Sequence, residues 1–173
     1  MSLASLTEPL DRVALFQGLQ PDQIEEIARR SERLMRKPGE AIITEGDVGT
    51  AAYVIVSGSA MRTAGPGLED DEEPLGPGTI IGEMAMLVET TYSSTVVCHE
   101  TTRLLRITRD SLLEQMATDL ALADHLIAKL SSRLKALANE LRRIDGTLAK
   151  PAEARSKKLL PVKLEPVHGG ASP

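Results

Sequence analysis

The stretch from Ile81 to Thr95, IGEMAMLVETTYSST, decides how this chain is interpreted. It opens on Gly82 and Glu83, continues through a short apolar segment, and closes on a cluster of hydroxyl side chains. Hydroxyl groups behind a Gly-Glu turn favour a site for a small polar ligand. The stretch contains no lysine or arginine, so an anionic ligand would depend on backbone N–H groups and hydroxyls.

On both sides of this stretch the chain has the short apolar runs of β-strands. The turn signals that break the preceding segment, residues 34–67, are Pro38-Gly39, Gly46-Asp47, Ser57-Gly58 and Gly65-Pro66-Gly67. STVVCHE (94–100) and TTRLLRIT (101–108) are again strand-like. Strands of about four to six residues with a turn every ~8–12 residues predict a β-sandwich or small barrel. We count about eight such strands.

Helical patterns flank the strands. Thr7 is a candidate N-cap for a first helix, and Pro21 is placed to open a second. After the strands, Thr108 is the predicted cap of a third helix, and Thr118 that of a long fourth helix ending before Gly146. The pattern predicts an α+β, mainly β fold, with two short helices before the strands and two after them. The expected apolar face of the second helix is Ile24, Ile27 and Ala28.

The domain expected from these elements covers residues 8–144, with the long helix at 118–145. Residues 69–73 are five consecutive acids, which we place on an exposed loop because packing would force like charges together. Residues 146–173 are rich in proline and have no sustained period, which is typical of a flexible tail.

Several short motifs occur in a fixed order and together resemble a known family. They are Leu15-Phe16-x-Gly18-Leu19, Pro38-Gly39-Glu40-x-Ile42, Glu45-Gly46-Asp47, Tyr53-Val54-Ile55-x-x-Gly58 and Gly76-x-Gly78-x-Ile80-Ile81-Gly82-Glu83. This order closely resembles the cyclic nucleotide-binding domain family, over roughly residues 10–144. The resemblance implies an eight-stranded jelly roll, and it implies that residues 81–95 correspond to the phosphate-binding cassette.

In that family the cassette holds a cyclic phosphate with a short helix, a glutamate for the ribose hydroxyl, and an arginine fork. Gly82 and Glu83 match the first pair, and residues 84–87 fit the short helix. The arginine position falls on Tyr92, or on Ser93 if the loop is one residue longer. The ligand-binding residues implied are Gly82, Glu83, Met84, Ala85, Tyr92, Ser93, Ser94 and Thr95.

The absence of an arginine from the cassette leaves two functional hypotheses. A charge-assisted hydrogen bond contributes about 1.5–3 kcal/mol, and an uncompensated buried charge costs ~3–5 kcal/mol, or about two to four decades of affinity. The leading hypothesis is a degenerate cassette, with Tyr92 over its mouth or merely facing solvent. The alternative is a sensor that binds cyclic AMP, cyclic GMP or another small anion, with Arg62, Arg103 or Arg106 replacing the missing cation.

Each cassette residue also has a plain structural interpretation. Glu83 could order its own loop by accepting backbone N–H groups. The hydroxyls of residues 93–95 could lie along a strand edge without a ligand.

The long helix carries a repeat of apolar residues spaced four and three apart. The repeat begins at Ala123 and lasts about three heptads, which is typical of a coiled-coil seam. About 26 residues at 1.5 Å each span ~39 Å, more than a small β-roll needs for its own packing. We therefore expect a homodimer through this helix, as in bacterial activators of the family. The expected interface residues are Ile127, Leu130, Leu134, Leu137, Leu141 and Ile144.

The remaining sequence argues against several functional classes. The single Cys98 fits a reducing cytoplasm, and no apolar run approaches the ~20 residues of a membrane span. The formal charge of −5 disfavours DNA binding, and the tail is too short for a helix-turn-helix domain. The three histidines lack metal-ligand spacing, and no nucleophile is paired with a base. We expect no cofactor other than the cyclic nucleotide of the alternative hypothesis. We expect a non-enzymatic regulator or adaptor that acts through a protein partner. The tail at 150–167 is the expected docking segment for that partner.

Overall fold

The computed structural model describes residues 4–63 and 72–148. Two helices, α1 (Ala4–Asp11) and α2 (Pro21–Arg30), precede the strands, and α3 (Arg109–Thr118) and α4 (Leu120–Leu148) follow them. A 3₁₀ helix, Glu83–Met86, interrupts the strand region. The strands are β1 (Glu32–Arg36), β2 (Ala41–Ile43), β3 (Val48–Gly49), β4 (Ala51–Ser57), β5 (Ala60–Thr63), β6 (Glu73–Leu75), β7 (Ile80–Ile81), β8 (Thr90–Thr91), β9 (Thr95–Cys98) and β10 (Thr102–Thr108).

The strands form two four-stranded antiparallel sheets and one two-stranded ribbon. The sheet orders are β1-β10-β4-β7 and β2-β9-β5-β6, and the ribbon is β3-β8. The mainly β jelly-roll class predicted from the sequence is confirmed. Eight strands lie in the two sheets, and the short ribbon, which the turn signals did not resolve, adds two more among the described residues.

Strand β4 lies between two apolar layers and explains why the core has two parts. Its side chains alternate in direction, so Ala52 and Val54 face the helices while Ile55 faces the second sheet. On the neighbouring strand, Leu105 joins the helix-side layer and Leu104 the inter-sheet layer. Both faces of this sheet are therefore covered, and the strand reads as a nearly continuous apolar run.

Two predicted helix starts are confirmed. Pro21 occupies the first turn of α2, and Gln20 and Gln23 form a capping box before it. The buried face of α2 is Ile24, Ile27 and Ala28, as the spacing predicted. Thr108 caps α3 through its Oγ1, which accepts a hydrogen bond from the Ser111 N–H at 3.2 Å.

Three other helix boundaries differ from the sequence prediction. Helix α1 begins at Ala4, so Thr7 lies inside the helix, because Leu6 and Leu10 bury one face of an earlier turn. Helix α4 is capped by Asp119 rather than Thr118: the Leu122 N–H donates to Asp119 Oδ1 at 3.0 Å. The same helix continues through Gly146 to Leu148, since a helical glycine costs only about 1 kcal/mol.

The acidic run is partly contained in a strand. Glu73 begins β6, where its carboxylate is 2.9 Å from Arg62 Nη1 across the β5–β6 pair. The loop prediction is therefore wrong for Glu73, because an opposite charge on the neighbouring strand offsets the repulsion. Residues 69–71 and the tail at 149–173 lie outside the described residues.

The chain divides into two compact units between Leu130 and Ser131. Within the first unit, Leu122 and Leu126 of α4 are fully buried in the helix-side core, and Leu130 packs partly against it. None of the helices in the described ranges is long and apolar enough to cross a membrane.

Candidate functional site

The cassette begins with a glycine that the backbone requires. Gly82 follows β7 with φ +68°, in the left-handed region, and the 3₁₀ helix starts at the next residue. The Ala85 N–H closes the first turn onto the Gly82 carbonyl at 2.9 Å. Ala85 and Met86 are buried, Glu83 is half-buried, and Met84 is 40% exposed.

Tyr92 occupies the space beside Gly82. Its side chain is only 8% exposed, and its hydroxyl donates to the Ala51 carbonyl at 2.8 Å. A Cβ placed on Gly82 would come within 2.7 Å of Tyr92 Cε1, so the ring lies directly on the glycine. The tyrosine is therefore a buried side chain and not a solvent-facing loop residue.

The backbone of β3 approaches the same point. A Cβ on Gly49 would lie 2.6 Å from Ala85 Cβ and 3.4 Å from Tyr92 Cε1. The Tyr92 N–H donates to the Asp47 carbonyl at 3.0 Å, and the Gly46 N–H donates to the Tyr92 carbonyl at 2.9 Å. The fold thus brings Gly82, Ala85 and Tyr92 together, with Gly49 as a close neighbour that the sequence did not indicate.

Burial raises the pKa of the Tyr92 phenol above its usual value, and the adjacent Tyr53 adds to this effect. The hydroxyl donates its proton to the Ala51 carbonyl, a bond that only the protonated phenol can make. Tyr92 is therefore a neutral hydrogen-bond donor at physiological pH, and it supplies no positive charge to the cassette.

The hydroxyl cluster does not converge on one point. Ser93 is exposed, whereas Ser94 and Thr95 are half-buried. Thr95 Oγ1 accepts the Glu45 N–H at 3.1 Å, and the Thr95 carbonyl accepts the Thr63 hydroxyl at 3.1 Å. Thr95 thus joins neighbouring strands, in agreement with the strand-edge interpretation of this residue.

Arg109 is a cation at the cassette that sequence reasoning missed. Its Nε donates to the Ala85 carbonyl at 3.1 Å and its Nη2 donates to the Gly49 carbonyl. Its Nη1 is 3.8 Å from the carboxylate of Glu89, and the side chain is 18% exposed. The available signal was the strand before it: Thr108 at the end of β10 pairs with Ala51, which places Arg109 beside the cassette.

The three arginines considered from the sequence make no described contact with the cassette. Arg62 is 2.9 Å from Glu73, and Arg106 Nη1 donates to both oxygens of Glu32 at 2.9 Å. Arg103 lies beside Leu6 in a groove near the start of β10. Among the described contacts, none of the three reaches residues 82–95.

Metal chemistry and thiol reactivity find no support in the described part of the chain. Nowhere within it do three or more His, Cys, Asp or Glu side chains gather closely enough to hold a metal ion. Cys98 is buried, and burial raises the pKa of its thiol, so it stays protonated at neutral pH.

Part of the expected dimer seam is exposed. Ile127 is 56% and Leu134 is 60% exposed. Leu130 was expected in the same seam but packs partly against the core of its own domain, because it continues the stripe of Leu122 and Leu126. The side chains of Leu137, Leu141 and Ile144 lie outside the description.

Comparison with known proteins identifies a sequence family over the centre of the chain. The family model for the cyclic nucleotide-binding domain matches residues 34–119. The cyclic AMP receptor protein of Thermus thermophilus is 34% identical over 129 residues, which is 73% of this chain and 60% of that protein. The chain thus spans about 60% of the length of this curated relative.

Solved structures agree with this result. A cyclic nucleotide-binding-like protein from Brucella abortus is 30% identical with a TM-score of 0.56, covering 66% of this chain and 98% of that one. The N-terminal domain of a transcriptional regulator from Streptomyces coelicolor has the same fold, with a TM-score of 0.69 at 22% identity. That match covers 76% of this chain and 95% of the other.

Proposed function

Because this chain belongs to the cyclic nucleotide-binding domain family, we propose that it is a homodimeric, non-enzymatic regulatory protein whose phosphate-binding cassette is degenerate. In this proposal the protein acts through a protein partner and not through a bound cyclic nucleotide. The proposal rests on the position of Tyr92. Its ring packs against Gly82, and its hydroxyl donates a hydrogen bond to the Ala51 carbonyl.

The energetic cost of admitting a cyclic phosphate supports the proposal. Moving Tyr92 aside breaks a hydrogen bond worth about 0.5–1.5 kcal/mol and exposes a side chain whose burial contributes roughly 1.5–3 kcal/mol. The cassette also lacks the charge-assisted bond of an arginine, worth about 1.5–3 kcal/mol. Together these terms reach roughly 3.5–7.5 kcal/mol, or about two and a half to five decades of affinity.

Arg109 favours the second candidate function, a sensor of cyclic AMP, cyclic GMP or another small anion. Its guanidinium already contacts the Ala85 carbonyl in the cassette. To bind a phosphate, however, it must give up its bonds to the Ala85 and Gly49 carbonyls. We therefore rank the sensor second.

Calorimetric titration with cyclic AMP and cyclic GMP separates the two functions. We expect the wild-type protein to bind neither nucleotide with a dissociation constant near 1 μM or below. Tyr92→Arg should gain affinity, because it restores a guanidinium where the family pattern has one and removes the ring. Thr91→Arg adds the same charge at the exposed position on the other side of Tyr92 and serves as the matched control. Micromolar binding by the wild type, lost in Arg109→Gln, would establish the sensor.

The homodimer is proposed to form through the exposed positions of α4. Ile127 and Leu134 lie one heptad apart and are both more than half exposed. Light scattering should give twice the 18.6 kDa mass of the chain, and Leu134→Glu should shift the mass toward the monomer. Ala136→Glu lies about 200° further around the helix and should leave the dimer intact. A wild-type monomer at high concentration would contradict this part of the proposal.

The partner is proposed to contact residues 150–167, in which the segment KKLLPVKLEPV (157–167) alternates apolar and polar residues. Pull-down experiments with the full chain and with a variant lacking residues 147–173 test whether these residues are needed to retain the partner. A partner retained equally by both forms would assign the interaction to the folded part of the protein.

A further inference from the structure

A concave surface separate from the cassette lies along β1, the edge strand of the β1-β10-β4-β7 sheet. It is a groove of about 190 Å³ between β1, β4, β10 and α1. Leu6 and Leu105 form its buried floor, at 1% and 0% exposed, and its accessible apolar surface comes from the half-buried Val56 and from Met35, which is 62% exposed. A single water needs only about 10–15 Å³ of such space, so the groove is large enough for an alkyl group.

Two arginines, Arg33 and Arg103, line the same groove. In the antiparallel pair of β1 and β10, Arg33 is opposite Leu105, and Met35 is opposite Arg103. Paired residues point to the same face, so both arginines lie on the face that carries Met35 and Leu105. Diagonal neighbours of this kind are about 7–8 Å apart, which allows both guanidinium groups to reach one small anion.

The two guanidinium groups have no counterion within the described part of the chain. Both side chains are exposed, and neither forms an ion pair or a hydrogen bond with another described residue. Arg62, Arg106 and Arg109, in contrast, all donate to carboxylates or carbonyls. Two arginines without a described ion-pair partner therefore line one apolar groove, in a chain whose net charge is −5.

We propose that this groove binds a medium-chain carboxylate. The alkyl chain lies against Met35 and Val56, and the carboxylate accepts hydrogen bonds from Arg33 and Arg103. A planar guanidinium matches the two oxygens of a carboxylate, and the wall beside the arginines offers the chain apolar contacts. The hollow is compact, which favours one alkyl chain over an extended peptide at ~3.3 Å per residue. This site is separate from the cassette and holds whether or not the cassette binds a nucleotide.

The test is calorimetric titration of the full chain with sodium decanoate below its micelle concentration. We expect saturable binding by the wild type, and a loss of about tenfold or more in the double variant Arg33→Gln/Arg103→Gln. Arg36→Gln removes the same charge from the same strand at a position of opposite direction, and it should bind as the wild type does. Thermal melting of each variant shows that it is folded.

Decanol, acetate, anionic vesicles and an acidic peptide serve as comparison ligands. Decanol has the chain without the charge and acetate has the charge without the chain, so both should bind more weakly than decanoate. Equal binding of decanol, or unchanged decanoate binding in the double variant, overturns the role of the arginines. Association with vesicles of anionic phospholipid without binding of free decanoate assigns the surface to a membrane and overturns the proposal. Binding of an acidic peptide without decanoate does the same in favour of a protein.

Discussion

The cassette and the groove between β1 and β10 differ in what fills them. At the cassette, Tyr92 occupies the space beside Gly82, and Arg109 donates to the carbonyls of Gly49 and Ala85. At the groove, Met35 is 62% exposed, and Arg33 and Arg103 have no counterion among the described residues. The family motif therefore lies where the side chains already contact and bond to their own fold. The arginines without a described partner instead line a groove that no sequence motif indicated.

The first prediction, with the largest expected effect, tests the contact between Gly82 and the Tyr92 ring. Gly82→Ala should lower the free energy of unfolding by about 2–5 kcal/mol, combining ~1–2 for a left-handed alanine with ~1–3 for overpacking. Gly39→Ala is the matched control, since Gly39 has φ +82° but nothing within 4 Å of the added Cβ. Denaturant unfolding measures both. Equal losses in the two variants would show that the ring does not rest on the glycine.

The second prediction concerns Arg109 as a brace between β3 and the 3₁₀ helix. Arg109→Gln should cost about 1–3 kcal/mol, because two partly buried carbonyls lose a charged donor. Arg62→Gln, which removes an exposed ion pair with Glu73, should cost at most ~1 kcal/mol. Chemical unfolding of the two variants side by side tests this ranking. If they proved equally stable, the bonds of Arg109 to the cassette would contribute nothing.

The third prediction uses the pKa of Tyr92. The unfolded chain releases the tyrosine proton near pH 10, whereas burial keeps the phenol protonated in the folded protein at that pH. The free energy of unfolding should therefore fall as the pH rises above about 10, and Tyr92→Phe should lack this part of the fall. Below that pH the variant should be less stable by about 1 kcal/mol, from the lost hydrogen bond to Ala51.

Absorbance titration gives a direct readout, since the chain has two tyrosines and no tryptophan. Tyr92→Phe should remove the phenol transition with the raised pKa, and Tyr53→Phe, the control, should retain it. An unchanged titration in Tyr92→Phe would contradict the burial of this hydroxyl.

The fourth prediction has the smallest expected effect and concerns the groove. Arg33→Gln and Arg103→Gln should each change the free energy of unfolding by no more than about 0.5 kcal/mol, because neither side chain has a partner to lose among the described residues. Thermal melts at low and high salt measure this. A large loss in either variant would show that the arginine is structural, in contrast to its proposed role in binding.

The elements predicted well from the sequence are those decided by neighbouring residues. Pro21 opens α2, Thr108 caps α3, and the nearly continuous apolar run of β4 forms a strand. Thr118 and Asp119 are adjacent and both suit an N-cap. Asp119 is the cap in the structure, and Gln23 donates to its second carboxylate oxygen at 2.7 Å from 96 residues away. A prediction based on neighbouring residues does not include such a contact.

The candidate site shows the same limit. The sequence put the position of the missing arginine at Tyr92 or Ser93, but the burial of Tyr92 depends on contacts with Gly82 and Ala51, some 10 and 41 residues earlier. Arg109 was missed because strand pairing, and not sequence distance, brings it to the cassette. Arg33 and Arg103 meet for the same reason, across the β1–β10 pair.

The central claim is that Tyr92 fills the cassette, and a crystal structure grown with excess cyclic AMP tests it most directly. We predict that the ring stays on Gly82, that its hydroxyl stays on the Ala51 carbonyl, and that no nucleotide lies in the cassette. A structure with Tyr92 rotated outward and a cyclic phosphate bound against residues 82–85 would contradict the claim.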